Sequence, residues 1–191
     1  MAEIRKNESA LVCEAQKGDK DALQTLLIRN WAWVKGLVYS IVYSADDVDD
    51  CLQDICLRVI NKIDTLREPE RFKPWLAVLA RREALRLRQQ KTKRPVQLDE
   101  ETIENRQNEK NKFFENIVEK EQYDQVLKAI QSLPEKYREV FIMQHSGDLT
   151  YNQISEILDV PITTVQIRLV RARKLIYDKI INKDKDKVLE Q

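Results

Sequence analysis

Residues 148–176, DLTYNQISEILDVPITTVQIRLVRARKLI, set two short amphipathic segments on either side of a three-residue break. Thr150 and Gln153 open the first segment with the spacing of a capping box, in which side chains satisfy the free N–H groups of a first helical turn. Ile154, Ile157 and Leu158 then share one face. Asp159-Val160-Pro161 interrupts the run, and Pro161 suits the first turn of a new helix, where its missing N–H costs nothing. In that second helix Val165, Leu169, Ala172 and Ile176 recur at i, i+4, i+7 and i+11, which marks a core stripe. The pattern predicts a helix-turn-helix.

The opposite face of the second helix carries Thr163, Thr164, Gln166, Arg168, Arg171 and Lys174. Short hydroxyls and an amide near the helix start, with arginines behind, suit a helix laid into the DNA major groove. There Gln or Thr reaches base edges, while Arg and Lys hold phosphates or guanine. Ile167 and Val170 also point outward on a 3.6-residue wheel, which a merely solvated face does not favour. Thymine methyls and a partner protein are the two surfaces they would fit. The plainer alternative is a helical hairpin with a charged surface.

The 191 residues suffice for one large domain or two small helical ones, each with a modest core. Only 3 glycines and 5 prolines occur, and 34% of residues are charged, interleaved with Leu, Ile and Val at helical spacing. The expected fold class is all-α. A formal net charge of +1 conceals strong local polarity. Five aspartates and no base lie between Asp46 and Asp54, whereas Arg67 to Arg94 carries ten Lys or Arg against Glu68, Glu70 and Glu83. Asp99 to Asp124 turns acidic again and Arg168 to Lys187 basic, a pattern that points to several different partners along one chain. Cys13, Cys51 and Cys56 have no paired spacing and read as buried thiols, and the single His145 offers no zinc site with them. No apolar run reaches the length of a signal or a membrane span, so the expectation is a cytoplasmic protein without membrane insertion.

Periodicity predicts N-terminal helices near residues 8–17, 20–29, 31–43, 46–63 and 71–90. In the fourth, Val48, Leu52, Ile55, Val59 and Ile63 form the core stripe, and Asp50, Gln53, Asp54, Leu57 and Asn61 lie opposite. An acidic rim around an outward leucine suits protein docking. A solvated face with aspartates favoured by the helix dipole is the alternative, and Leu57 fits it poorly. In the next helix Phe72, Trp75, Leu76 and Leu79 are anchors, followed by a dense arginine face able to track a phosphate backbone or stack on unpaired bases. The expected organisation is an N-terminal domain over 1–94, a polar linker over 95–118, a C-terminal helix-turn-helix domain over 119–182, and a frayed polar tail over 183–191. Within the C-terminal domain, Tyr123, Val126, Leu127 and Ile130 make one stripe. Ser132 and Glu135 are expected to cap a helix with Pro134 in its first turn and Tyr137, Phe141 and Ile142 inside.

Taken together these segments resemble the extracytoplasmic-function (ECF) sigma factors of bacterial RNA polymerase. Asp47 to Arg58, with its Gln53-Asp54 pair, is similar to the family's helix that docks on the polymerase clamp. Phe72, Trp75-Leu76 and Leu79-Ala80-Arg81 resemble the segment that opens and reads the minus-ten promoter element. Leu133-Pro134, Arg138, Val140 and the run Thr164-Val165-x-x-Arg168-Leu169-x-Arg171-Ala172-Arg173 resemble the domain that reads the minus-thirty-five element. The likeness extends from about Leu11 to Ile180. It implies clamp docking through Asp50, Gln53, Asp54, Leu57 and Asn61, and minus-ten contacts from Arg81, Arg82, Arg86 and Arg88. Minus-thirty-five contacts would come from Thr163, Thr164, Gln166, Ile167, Arg168, Arg171 and Lys174.

Several positions depart from the family pattern. Cys51 and Cys56 replace bulkier apolar residues, Arg82 stands where Asn is frequent, and Arg86 where Asp is common. Asp159 occupies the usual glycine of the turn, a place that Asp tolerates better than most residues. Gln166-Ile167 replaces a frequent Lys-Ser pair and makes the reading surface more apolar, so an unusual promoter is expected.

The sequence is therefore read as a two-domain sigma factor whose partners are core RNA polymerase and promoter DNA, with an anti-sigma protein left open. No nucleophile–base pair, metal cluster or phosphate loop is visible, so no enzymatic activity, metal or cofactor is expected. The main alternative is a stand-alone helix-turn-helix regulator with a helical sensing or dimerising domain. A nucleic-acid enzyme is the third class, and the basic stripe lacks the acidic metal constellation it would need.

Overall fold

The structure, a computed structural model, describes residues 7–42, 44–93, 126 and 128–189. The expected linker over 95–118, and Tyr123 and Leu127 of the expected stripe, lie outside the described residues. Every regular element among the described residues is helical. Helix α1 spans Glu8–Gln16 and α2 spans Lys20–Val42, with Asp19 capping α2 by accepting from the backbone N–H groups of Asp21 and Ala22 at 2.9 and 3.1 Å. The Gln16 amide donates to the carbonyls of Ile63 and Leu66 at 2.8 and 2.7 Å, tying the end of α1 to the turn after the third helix.

Helix α2 is continuous where periodicity divided it into 20–29 and 31–43. The division falls at Asn30, and asparagine usually competes with the helical backbone. Here Asn30 is 2% exposed and fully employed. Its amide donates to Leu26 O and Glu8 Oε1, both at 2.9 Å, while its Oδ1 accepts from Trp33 Nε1 at 2.8 Å. An asparagine with these partners belongs inside the helix.

Helix α3, Ala45–Lys62, buries its expected stripe: Val48, Leu52, Ile55, Val59 and the following Ile63 are all core. Two single 3-10 turns, Ile63–Thr65 and Pro69–Arg71, lead into α4, Phe72–Lys93. Phe72 and Leu76 anchor α4, and Ala77, Ala80 and Ala84 let it pack closely on α2 and α3. Of the three cysteines, Cys51 is buried and Cys56 half-buried, and burial raises both thiols, that of Cys51 to about 12. Cys13 is exposed, contrary to expectation, because Leu11, Val12 and Ala15 take the inner face of α1.

After a helical turn over 128–131 come α5, Glu135–His145, α6, Tyr151–Leu158, and α7, Ile162–Leu189. Thr150 and Gln153 form the expected reciprocal capping box, and Asp159 ends α6 in a left-handed conformation with φ 52°. The Ser132 hydroxyl instead donates to Ala129 O at 2.8 Å, so α5 starts at Glu135 without a side-chain cap. Its fully buried residues are Arg138, Glu139, Val140 and Met143, whereas Tyr137, Phe141 and Ile142 are only half-buried. Helix α5 lies between two surfaces, so one apolar face was too simple an expectation. Helix α7 continues to Leu189, through much of the 183–191 segment expected to fray.

Both halves of the chain contribute to one buried cluster. Trp33, Val34 and Leu37 of α2 and Ala77 and Ala80 of α4 join Val140, Met143, Leu149, Ile154 and Leu158. Gly147, in the turn after α5, admits this approach: a Cβ there would sit 2.8 Å from Met143 O and 3.4 Å from the Trp33 ring. Asn30→Ala tests the α2 interpretation. It leaves the buried Trp33 N–H without its acceptor, so urea melts should show a loss of about 1–3 kcal/mol with helicity retained at low urea.

Candidate docking face and nucleic-acid interface

Helix α3 presents Asp50, Gln53, Asp54, Leu57 and Asn61 to solvent, opposite its buried stripe. Leu57 is 58% exposed. Ile60, one turn further on, is 51% exposed and forms the edge of a groove of about 790 Å³ that runs along α2. Leu23, Leu27, Ile28 and Trp31 supply most of the groove's apolar lining. The face therefore has an apolar flank on its α2 side.

On its α4 side, Arg86 donates to Asp54 Oδ2 at 2.8 Å and to Glu83 Oε2 at 2.8 Å. Glu83 is 3% exposed and also receives Arg58 at 2.8 Å. The expected docking helix and the expected minus-ten helix are thus locked together through one buried carboxylate. Ile28 and Ile60 were missed from sequence for separate reasons. Ile60 sits at the flank of the α3 wheel, and the false break at Asn30 obscured the outward face of α2.

The four arginines expected on the minus-ten stripe divide by direction. Arg81, Arg82 and Arg86 line one groove of about 410 Å³ with Val78, Leu85 and Gln89, and Ile157 of α6 forms its far wall. Arg88 turns away toward α5 and pairs with Glu135 at 2.7 Å. Arg81 meets Glu139 at 3.2 Å, and Glu139 is 4% exposed. Lys73–Asp148 at 3.6 Å and Arg71–Glu156 continue the row across the two halves. Arg82 is exposed and has no carboxylate at ion-pair distance among the described residues.

Burial is the main cause that raises the Glu139 carboxyl above its ordinary value, and Arg81 opposes it. The structure therefore brings Arg81, Arg82 and Arg86 together but engages Arg81, Arg86 and Arg88 with carboxylates.

Helix α7 buries Val165, Leu169, Ala172 and Ile176 as the spacing predicts. Thr163, Gln166, Ile167, Arg171 and Lys174 are exposed, while Thr164 and Arg168 are half-buried at the flank. Arg171 donates to Tyr137 Oη at 3.4 Å, a long bond that is easily surrendered, and draws the phenol below its ordinary range. Val170, 62% exposed, shares this surface; the sequence left thymine methyls and a partner protein open as what it and Ile167 would meet.

Comparison with known proteins matches two segments of the chain to family descriptions. Residues 26–94 match Sigma-70 region 2, and residues 123–176 match Sigma-70 region 4. The ECF RNA polymerase sigma-E factor of Escherichia coli K12 is 31% identical over 180 residues, covering 91% of this chain and 94% of its own. Its namesake in Haemophilus influenzae is 30% identical over 184 residues, covering 91% and 95%. Among solved structures, CnrH in complex with the cytosolic domain of CnrY superposes with a TM-score of 0.61 at 18% identity, covering 93% of this chain and 98% of that one. The sigma factor RpoE bound to the anti-sigma factor NepR from Bartonella quintana gives 0.57 at 21%, covering 84% and 97%. These two likenesses concern the fold. Region 2 falls on the α2–α4 unit and region 4 on the helix-turn-helix, and identity at this level runs nearly end to end; the chain belongs to the ECF RNA polymerase sigma factors and directs promoter-specific transcription initiation.

Proposed function

We propose that the outer face of α3 docks on the polymerase clamp through Leu57 and Ile60, with Asp50, Gln53, Asp54 and Asn61 as its polar rim. The observation that carries this is two large aliphatic side chains, each more than half exposed, on a helix whose folding needs are met by the opposite stripe. Ile28 and the α2 groove extend the same surface. Desolvated anchors at the centre of an interface resist dissociation, and rim charges chiefly steer approach. Leu57→Ala and Ile60→Ala should each raise the dissociation rate from core polymerase by about tenfold or more, since hot-spot truncation costs about 2 kcal/mol. Circular dichroism should be unchanged. Wild-type capture kinetics in both folded variants would remove α3 from the interface.

Arg81, Arg82, Arg86 and Arg88 are assigned to the minus-ten element, and Thr163, Thr164, Gln166, Ile167, Arg168, Arg171 and Lys174 to the minus-thirty-five element. The ion pairs across the two halves give the assignment an order of events. Arg81 and Arg88 are held by Glu139 and Glu135, whereas the α3 face and the outer face of α7 are open. Polymerase would then be met first, and the minus-ten arginines would be released as the halves part. Glu135→Gln with Glu139→Gln keeps shape and removes both anionic partners. The double variant should bind promoter DNA without polymerase several-fold more tightly than wild type in low salt, measured by fluorescence anisotropy. Equal affinities would show that the pairs do not mask the stripe.

Arg171→Ala should weaken all promoters evenly and lower the salt slope by about one, as expected for one phosphate contact. A changed sequence preference in a promoter library would instead make Arg171 a base reader. The chain itself is assigned no bond chemistry, and its place is the cytoplasm, where polymerase and promoter meet. An anti-sigma protein is a further partner, by analogy with the complexed Bartonella quintana sigma factor.

A further inference from the structure

We propose that Ile167 and Val170 read the methyl groups of two thymines on neighbouring base pairs of the upstream promoter element. The inference rests on the assignment of α7 to DNA and deepens it. Ile167 and Val170 are 52% and 62% exposed, and no other part of the described chain covers them. They stand three residues apart, about 4.5 Å along the helix axis, close to the roughly 3.4 Å of one base-pair step.

Two occupants suit an exposed aliphatic pair, a protein or a groove edge, and the surrounding charge chooses between them. Residues 162–174 contain Arg168, Arg171, Arg173 and Lys174 and no carboxylate. A patch framed only by cations fits a polyanion. Arg173 reaches sideways to Gln144 at 3.4 Å and Arg171 to Tyr137, so the guanidinium groups lie beside the aliphatic patch rather than over it. In the major groove the one apolar group on a base edge is the C5-methyl of thymine. Gln166, exposed on the same side, has the donor and acceptor that pair with adenine N6 and N7, which fits the same A·T context.

The test uses holoenzyme assembled from the full chain and core RNA polymerase to select an upstream element from a randomised library. Each thymine of the selected element is then replaced by deoxyuridine, which pairs identically and lacks only the methyl. Two adjacent positions should each lose about fourfold in affinity, the worth of one buried methyl. Ile167→Ala should abolish the loss at one position and Val170→Ala at the other, with phosphate-dependent salt sensitivity unchanged. An element without adjacent A·T pairs, or one indifferent to deoxyuridine, overturns the proposal. So does a methyl response that survives both substitutions. If the variants keep the wild-type element and response but bind core polymerase less well, the patch faces protein and the proposal is wrong. A library that enriches no promoter overturns the DNA assignment of α7 as well, a result distinct from loss of methyl response on an enriched element.

Discussion

The Glu83 carboxylate, 3% exposed between α3 and α4, is the constraint on which the functional surfaces depend. A buried anion is tolerated only with partners, and it has two, Arg58 and Arg86, each at 2.8 Å. One guanidinium comes from α3 and the other from α4, so the pair fixes the relative register of the two helices. The second consequence concerns Arg86, whose free edge is aimed at Asp54. The first of its perturbations is the Glu83 hydrogen bond, and with Asp54 it moves the Arg86 guanidinium still further above its ordinary range. The same carboxylates add to burial in raising the Cys51 thiol, which keeps that thiol protonated and inert. The outer face of α3 and the basic stripe of α4 are therefore one linked unit rather than two independent surfaces.

The contact between the two halves is held differently. Its apolar part, from Trp33 and Leu37 to Val140 and Met143, supplies cohesion, and the ion pairs set register. Arg71–Glu156 is about half exposed on both sides and is worth at most about 1 kcal/mol. Arg81–Glu139 is the buried member, and its sign is instructive. Glu139 has a folded value above the ordinary 4.5, chiefly through burial. The stabilising protonated form is fully present below 4.5 and is lost as pH rises through the raised value. Arg81, and more weakly Arg168, favour the ionised carboxylate and oppose the effect of burial.

Legibility in the sequence followed from how many partners each residue needs. The capping box at Thr150 and Gln153 and the α3 and α7 stripes depend on neighbours within a few residues, and spacing revealed them, while the family resemblance pointed to the backbone of Asp159. Asn30 misled because its partners are Glu8, 22 residues away, and Trp33, which only the tertiary arrangement satisfies together. Ser132 misled because its hydroxyl turns back to Ala129 instead of forward to α5. The arginine stripe was legible as a cluster but not as a set of engagements, because Glu139 and Glu135 lie 58 and 47 residues from Arg81 and Arg88. Exposed apolar residues were found where they stood squarely opposite a core stripe, as at Leu57 and Val170, and missed at the flank of a wheel, as at Ile60, or where a helix was wrongly divided, as at Ile28.

The formal net charge of +1 has a structural counterpart in these pairings. Among the cations of the basic stripe, Arg71, Lys73, Arg81, Arg86, Arg88 and Lys91 each meet a carboxylate. Non-specific DNA affinity comes from releasing counterions as cations meet phosphates. A cation already paired within the chain must first give up its carboxylate, so it contributes less. The stripe is thus dense in sequence and quiet in the closed chain, with exposed Arg82 as an exception among its arginines. On α7, by contrast, Arg171 and Arg173 reach neutral neighbours, Tyr137 and Gln144, each at 3.4 Å. One chain so carries two basic surfaces with different thresholds. The α4 cations are tied to carboxylates across the contact between the halves, whereas Arg171 and Arg173 of α7 are tied only to neutral groups, and in the closed chain that makes the α7 surface the more accessible of the two to a polyanion.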